Sequence, residues 1–178
     1  MKKKTFLFYF ISFICSVSTV SGHTVEIDES AFVRRKYNVG HEVKTQWVFG
    51  GIDVATKDAF LVAVEKRDAA TLLPVLQQYV LPGSTVISDL WRAYSTVGEI
   101  GYDHLTVNHE VNFVDPVTGA TTNHVESMWG RAKLRNKKEC GTSRTHLASY
   151  LIEFMWRAKF GDDPFQNLLV HLREIYPC

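Results

Sequence analysis

The chain has 178 residues, of which 46% are hydrophobic and 22% are charged, a composition typical of one globular α/β domain with a real core. Its three cysteines show no CxxC spacing, so the sequence contains neither a zinc site of that kind nor a disulfide framework. The formal net charge is only +1, so any nucleic-acid binding must come from local basic patches.

Residues 1–22 have the pattern of a secretory signal peptide. A basic start at 1–5 precedes an apolar run at 6–15 and a small, polar stretch at 16–22. The apolar run is shorter than the roughly 20 residues that span a bilayer, so a membrane anchor is the second choice. We therefore predict a removable segment at 1–22 and one folded domain at 23–178.

The folded part begins with strand signals. The segment TVEIDE at 24–29 alternates in character, which predicts a strand with Val25 and Ile27 on one face and Glu26 and Asp28 on the other. Two apolar runs, at 46–54 and 59–65, are separated by a short polar stretch and predict a β-hairpin.

Helix and strand signals alternate along the rest of the chain. They predict a helix from Asp68 to 82–83, a strand at 85–88 closed by Asp89, a helix from Leu90, a strand at 105–108, a loop at 113–119, and helices at 121–138, 145–159 and 164–175. This order predicts an α/β fold with a mixed five-stranded sheet flanked by helices, the arrangement of an RNase H-like domain.

The helix at 121–138 carries a single acid in a strongly basic segment. Its apolar stripe consists of Val125, Met128, Trp129 and Ala132. Glu126 lies beside that stripe, and Lys133 follows seven residues later on the same face. A structural alternative makes Asn123 the N-cap and Glu126 the third helical residue of a capping box.

Three acids occupy positions that can converge at one edge of the sheet. Asp28 lies on the first strand, Asp89 ends the fourth, and Glu126 lies on a flanking helix. The alternatives are a solvated Asp28 on an edge strand and an Asp89 that caps the helix from Leu90.

Four segments resemble the catalytic core of the Merlin superfamily of DNA transposons and their bacterial insertion-sequence relatives, whose transposases are DDE enzymes. In chain order they are VEIDES, ISDLWRAY, NFVDPVTGATTNHVESMWGRAK and YLIEFMWRAKF, and the resemblance covers about residues 24–160. It implies an RNase H-like fold, with Asp28 and Asp89 at the two aspartates and Glu126 at the third acid of the family pattern. Lys133 matches a basic residue that the family carries seven positions after that acid.

The resemblance implies a chemistry as well. Two Mg²⁺ ions, or Mn²⁺ in their place, would be held by Asp28, Asp89 and Glu126, with Asp28 bridging them. Water would attack first and a DNA 3′-hydroxyl second. The side chains expected to hold DNA phosphates are Lys133, Arg131, Arg135, Arg34, Arg35 and Lys36. For Lys133 the alternative is a solvated side chain on an exposed helix face.

The implied partners are transposon ends and target DNA, and the resemblance allows a homodimer without a small-molecule cofactor. We interpret His109, His124 and His146 as ordinary surface or polar-core residues, because their spacing does not suit zinc. The tryptophans Trp91, Trp129 and Trp156 fit core packing better than base stacking.

The sequence also departs from a full transposase. Only 27 residues precede Asp28, so we expect a truncated enzyme that lacks its DNA-end-binding region. The alternative is a non-enzymatic descendant that retains the fold. The family implies the nucleus, whereas residues 1–22 imply secretion.

Overall fold

The computed structural model describes residues 22–33, 45–108, 114–116, 119–138 and 143–175. Five strands form one mixed sheet in the order β3-β2-β1-β4-β5. The strands are β1 (Thr24–Val33), β2 (Gln46–Asp53), β3 (Ala59–Val64), β4 (Thr85–Asp89) and β5 (Asp103–Val107). The predicted signal segment lies, apart from Gly22, outside the described residues.

Strand β1 is the centre of the sheet. It pairs antiparallel with β2 along most of its length, from Val25↔Asp53 to Val33↔Gln46. It pairs parallel with β4 over a short stretch only, from Thr24↔Thr85 to Glu26↔Ile87. Strands β1 and β4 therefore separate after Glu26 and leave an opening at the carboxyl end of β4.

The helices lie on both faces of the sheet. They are α1 (Ala69–Tyr79), α2 (Asn123–Lys138), α3 (Arg144–Phe160) and α4 (Pro164–Ile175). Helix α2 packs on β1 and β2, α1 and α3 contact β3, and α4 contacts α3. None of the helices in the described parts of the chain combines the length and the apolar composition that a membrane span requires.

Two adjacent glycines in β2 allow aromatic rings on both faces of the sheet to approach the strand closely. A Cβ on Gly50 would lie 2.8 Å from the Trp129 ring of α2, and a Cβ on Gly51 would lie 2.5 Å from the Phe60 ring. Phe60 in turn stacks on Tyr79 of α1, with ring centres 4.9 Å apart. Because successive residues point to opposite faces, these contacts place α1 and α2 on opposite sides of the sheet.

One predicted helix is replaced by two shorter turns. After β4 the chain forms 3₁₀ turns at Arg92–Tyr94 and Val97–Ile100 instead of a helix from Leu90. The second turn ends at Gly101, whose φ of 97° lies in the left-handed region. The rest of the predicted fold, a five-stranded mixed sheet with flanking helices, is confirmed.

Candidate active site

The opening at the end of β4 is bordered by β1 and α2, which run side by side. Two strand residues rise about 6.7 Å and four helical residues about 6 Å, so contacts can repeat at these intervals. The pairs at these intervals are Glu26 with Val125, Asp28 with Trp129, and Ser30 with Lys133. One turn further on, Asn136 donates to the Phe32 carbonyl. The polar face of β1 therefore sets the position of α2.

Glu26 anchors the start of α2. Its carboxylate is fully buried and accepts backbone N–H bonds from His124 at 2.8 Å and Val125 at 2.9 Å. The Nδ1 atom of His124 lies 2.7 Å from the same carboxylate. The structural alternative, a capping box with Asn123 as N-cap, is therefore wrong, because Asn123 is the first helical residue and Glu26 accepts the free amides of the first turn.

Asp28 lies on the central strand, so a solvated position on an edge strand is excluded. Its Oδ1 accepts the Glu29 N–H at 2.7 Å, and its Oδ2 accepts the indole N–H of Trp129 at 3.0 Å. Trp129 is 5% exposed, which agrees with the predicted core position. Its hydrogen bond to Asp28 is a second role that the sequence did not reveal.

Asp89 ends β4 and lies beside Asp28. Both carboxylates line the same pocket, and the charge of Asp89 acts on Asp28. Asp89 Oδ1 accepts the backbone N–H of Trp91 at 2.9 Å, so this carboxylate also initiates the turn after the strand. The alternative that Asp89 caps a helix from Leu90 is wrong, because the 3₁₀ turn begins at Arg92 and its cap residue, Trp91, makes no side-chain capping bond.

The three acids surround one pocket. Its volume is about 150 Å³, and it is lined by Ile27, Asp28, Asp89, Thr122 and Glu126. Glu126 lies in the first turn of α2, and its carboxylate accepts the Thr122 hydroxyl at 3.4 Å. Residues far apart in the sequence are thereby brought to one edge of the sheet.

The pocket concentrates negative charge. Burial, together with the charges of Asp89 and Glu126, raises the pKa of Asp28 to about 6 against the lowering effect of its two hydrogen bonds. A divalent cation would offset this repulsion. The lining supplies only carboxylate and hydroxyl oxygens, the donors that Mg²⁺ prefers.

The donor chemistry of the pocket therefore fits Mg²⁺, but the carboxylates are not drawn into a tight cluster. Within the described ranges, no three His, Cys, Asp or Glu side chains are close enough together to form a ready-made metal centre. Rotation of the carboxylates would be needed to close around an ion.

A fourth acid, Glu29, follows Asp28 on β1. Burial, followed by the charge of Asp28, raises the pKa of Glu29 to about 7. Tyr94 lies near it, yet neither Glu29 Oε1 nor the Tyr94 hydroxyl makes a hydrogen bond of ordinary geometry with a described residue. Glu29 was not singled out from the sequence, although strand alternation places it on the apolar face with Val25 and Ile27.

Lys133 points toward the site and not into solvent. Its Nζ donates to the Ser30 hydroxyl and lies 5.7 Å from the centre of the Phe32 ring. Burial lowers the pKa of Lys133, and the charge of Asp28 partly opposes this shift. The alternative of a fully solvated lysine is therefore wrong.

The other predicted phosphate contacts have different surroundings. Arg131 is exposed, whereas Arg135 pairs with Glu153 and lies over the Tyr150 ring at 4.1 Å. Arg34, Arg35 and Lys36 lie outside the described residues.

Two of the three tryptophans are not simple core residues. Trp91 is 37% exposed, and its indole N–H donates to the Arg67 carbonyl at 3.1 Å. The Arg67 guanidinium lies 3.9 Å from the Trp47 ring centre and 4.9 Å from that of Trp91. Trp156 is half-buried and donates to His171 at 3.1 Å. The prediction of core packing for Trp91 is therefore wrong.

Two of the three histidines considered in the sequence analysis lie among the described residues. His124 is bound to Glu26, and His146 is exposed beside Tyr150, as expected for polar-core and surface residues. His109 lies outside the described residues.

Comparison with known proteins gives both a family and a fold. Residues 19–159 match the family described as ISXO2-like transposase domain. An uncharacterized transposase-like protein of Haemophilus influenzae is 31% identical over 116 residues, which are 65% of this chain and 91% of that protein.

Two solved structures share the fold at low sequence identity. The HTLV-2 integrase catalytic core domain, in complex with magnesium, has a TM-score of 0.50 and 15% identity over 77% of this chain and 86% of that one. A chain of the simian T-cell lymphotropic virus intasome also has a TM-score of 0.50, with 14% identity over 76% of this chain and 48% of that one. The predicted RNase H-like fold is therefore confirmed.

Proposed function

We propose, from the premise that this chain belongs to the family of ISXO2-like transposase domains, that it cleaves and joins DNA strands with a divalent metal held by Asp28, Asp89 and Glu126. One observation carries the proposal. These three acids, from β1, the end of β4 and the first turn of α2, line one pocket, where burial and the charges of Asp89 and Glu126 raise the pKa of Asp28.

When bound, two divalent ions would stabilise the negative charge that in-line attack on a phosphodiester places on the attacking and leaving oxygens. The HTLV-2 integrase core was solved with magnesium, which supports Mg²⁺ as the ion here. Mn²⁺ has the same oxygen preference and would serve in its place.

The chain's own contribution is to hold the carboxylates. The N–H groups of Glu29 and Trp129 take one acceptor position on each oxygen of Asp28, so each oxygen keeps another lone pair for the pocket. The Trp91 N–H fixes Asp89 in the same way. Glu126 is positioned by helix α2. Glu26 of β1 accepts backbone N–H bonds from the first turn of that helix and so holds it in place.

The cleavage step uses water and the joining step uses a DNA 3′-hydroxyl, so the substrate is DNA at transposon ends and at a target. Lys133 supplies a positive charge beside Asp28, and Arg131 adds an exposed cation on the same helix. We assign phosphate contacts to these two residues first, because Arg135 is already engaged by Glu153 and Tyr150. The dimeric form of the HTLV-2 core supports a homodimer.

Nicking of supercoiled plasmid tests the proposal. The wild-type chain should convert plasmid to open circles with Mg²⁺ or Mn²⁺ and lose this activity in EDTA. Asp28→Asn and Glu126→Gln should each reduce the rate at least about 100-fold, as expected for loss of an ion-holding carboxylate. Asp58→Asn is the matched control, because Asp58 pairs with Lys159 outside the pocket and should retain wild-type activity. Equal nicking by all four proteins would refute the assignment.

A further inference from the structure

Helix α4 exposes a continuous apolar stripe. Phe165, Leu168, Leu169 and Leu172 follow the i, i+3, i+4, i+7 spacing of one helix face. Their exposed fractions are 71%, 43%, 44% and 40%. In a globular domain such a stripe normally faces the core, so its exposure requires an explanation.

The helix is attached to the domain by other side chains. Asn167 Nδ2 donates to the Phe160 carbonyl at 2.9 Å. His171 accepts the Trp156 indole N–H at 3.1 Å, and its ring meets Phe160 edge-on with centres 4.7 Å apart. These contacts fix α4 to α3 through a face that carries polar residues. The apolar stripe is therefore held outward by specific contacts.

We propose that this stripe is the contact surface of a homodimer in which α4 packs antiparallel against α4 of a second copy. The stripe exposes on the order of 400 Å² of apolar side chain, which lies within the size range of the largest apolar patches on monomers, and such patches are often functional. It would supply about half of the roughly 800 Å² that each partner contributes to a stable complex.

The charges at the helix ends select the antiparallel arrangement. Asp162 and Asp163 precede the helix, and Arg173 lies in its last turn. Antiparallel packing sets the acidic end of each copy beside Arg173 of the other, whereas parallel packing would bring like charges together. Glu174 does not interfere, because it lies on the opposite side of the helix from the stripe.

A two-fold axis at the middle of the stripe gives a self-complementary contact. Phe165 of each copy meets Leu172 of the other, and Leu168 meets Leu169. The inference rests on the α4 surface and not on the pocket. A failed dimer test therefore leaves the DNA-cleavage proposal standing, and a failed nicking test leaves the dimer standing.

Sedimentation equilibrium of the full chain tests the dimer. The wild-type chain should sediment as a dimer, and Leu169→Lys should sediment as a monomer because it places two lysines at the two-fold axis. Val170→Lys is the matched control: Val170 is 45% exposed but lies outside the stripe, so this variant should stay dimeric. Far-UV circular dichroism of all three should be the same.

Charge reversal tests the orientation. Asp162→Arg and Arg173→Asp should each weaken the dimer several-fold, and the double variant should recover most of the affinity. The proposal is overturned if the wild-type chain is a monomer at every concentration. This outcome includes a monomer in which residues 6–15 of the same chain cover the stripe. A dimer that persists in Leu169→Lys, or that is lost equally in Val170→Lys, would also overturn it.

Discussion

Replacing Asp28 by Asn should stabilise the fold while it removes activity. Burial and the neighbouring acids raise the pKa of Asp28 from 3.8 to about 6, so ionisation of this carboxyl opposes folding. A shift of about two units corresponds to about 3 kcal/mol. The Asn side chain must turn one N–H toward the N–H of either Glu29 or Trp129, which costs about 1 kcal/mol. The net gain is about 2 kcal/mol, or ~4–8 °C in melting temperature for a domain of this size.

The gain in stability that Asp28→Asn brings depends on pH. A carboxyl whose folded pKa is raised destabilises the fold fully above that pKa, and the effect disappears as the pH falls from about 6 toward 3.8. Thermal melts in EDTA should therefore show Asp28→Asn above the wild type at pH 8 and level with it or below at pH 4.

Asp53→Asn provides the opposite case. Burial raises the pKa of Asp53, but hydrogen bonds from His23, Thr56 and Ala55 outweigh it and lower the pKa overall. This variant should melt below the wild type at pH 8. A melting temperature of Asp28→Asn at or below that of the wild type at pH 8 would refute the reasoning.

Three further substitutions test how the site is held. Trp129→Phe keeps an aromatic ring but removes the N–H bond to Asp28, so nicking should slow about 10-fold and need more Mg²⁺, as a titration of rate against Mg²⁺ would show. Gly50→Ala places a Cβ against Trp129 and should lower the urea unfolding free energy by about 1–3 kcal/mol, while Ala at exposed Gly98 should have little effect. Glu26→Gln weakens the anchor of α2 and should cost about 2–3 kcal/mol in the same assay.

Elements specified by local signals were predicted well. The hairpin expected at 46–54 and 59–65 is found at Gln46–Asp53 and Ala59–Val64, because apolar runs around a tight turn are a short-range signal. Helix α4 was predicted at its observed bounds, since Asp163 accepts the Gln166 N–H at its start. The acidic alternation of β1 correctly put Glu26 and Asp28 on one face.

Features that depend on distant partners were not predicted. Strand β1 runs to Val33 and not to residue 29, because its pairing with β2 extends it. The cap of α2 comes from Glu26, 98 residues before His124, and no local pattern could reveal it. The Trp129 bond to Asp28 spans 101 residues and is equally invisible along the chain.

The prediction of a helix after Asp89 was wrong for a different reason. The spacing of Leu90, Ala93 and Tyr94 is compatible with a helix, yet Leu90 is 60% exposed and the chain forms a 3₁₀ turn. Asp89 bonds to the Trp91 N–H, and Trp91 is drawn to the Arg67 carbonyl. These contacts with a distant loop turn Trp91 away from the core.

Binding of Mn²⁺, followed by calorimetry and by its electron paramagnetic resonance signal, tests the metal pocket most directly. The wild-type chain should bind Mn²⁺ and release it to excess Mg²⁺. Asp28→Asn, Asp89→Asn and Glu126→Gln should each weaken binding at least about 10-fold, whereas Asp58→Asn should not. Unchanged Mn²⁺ affinity in the three pocket variants would contradict the account.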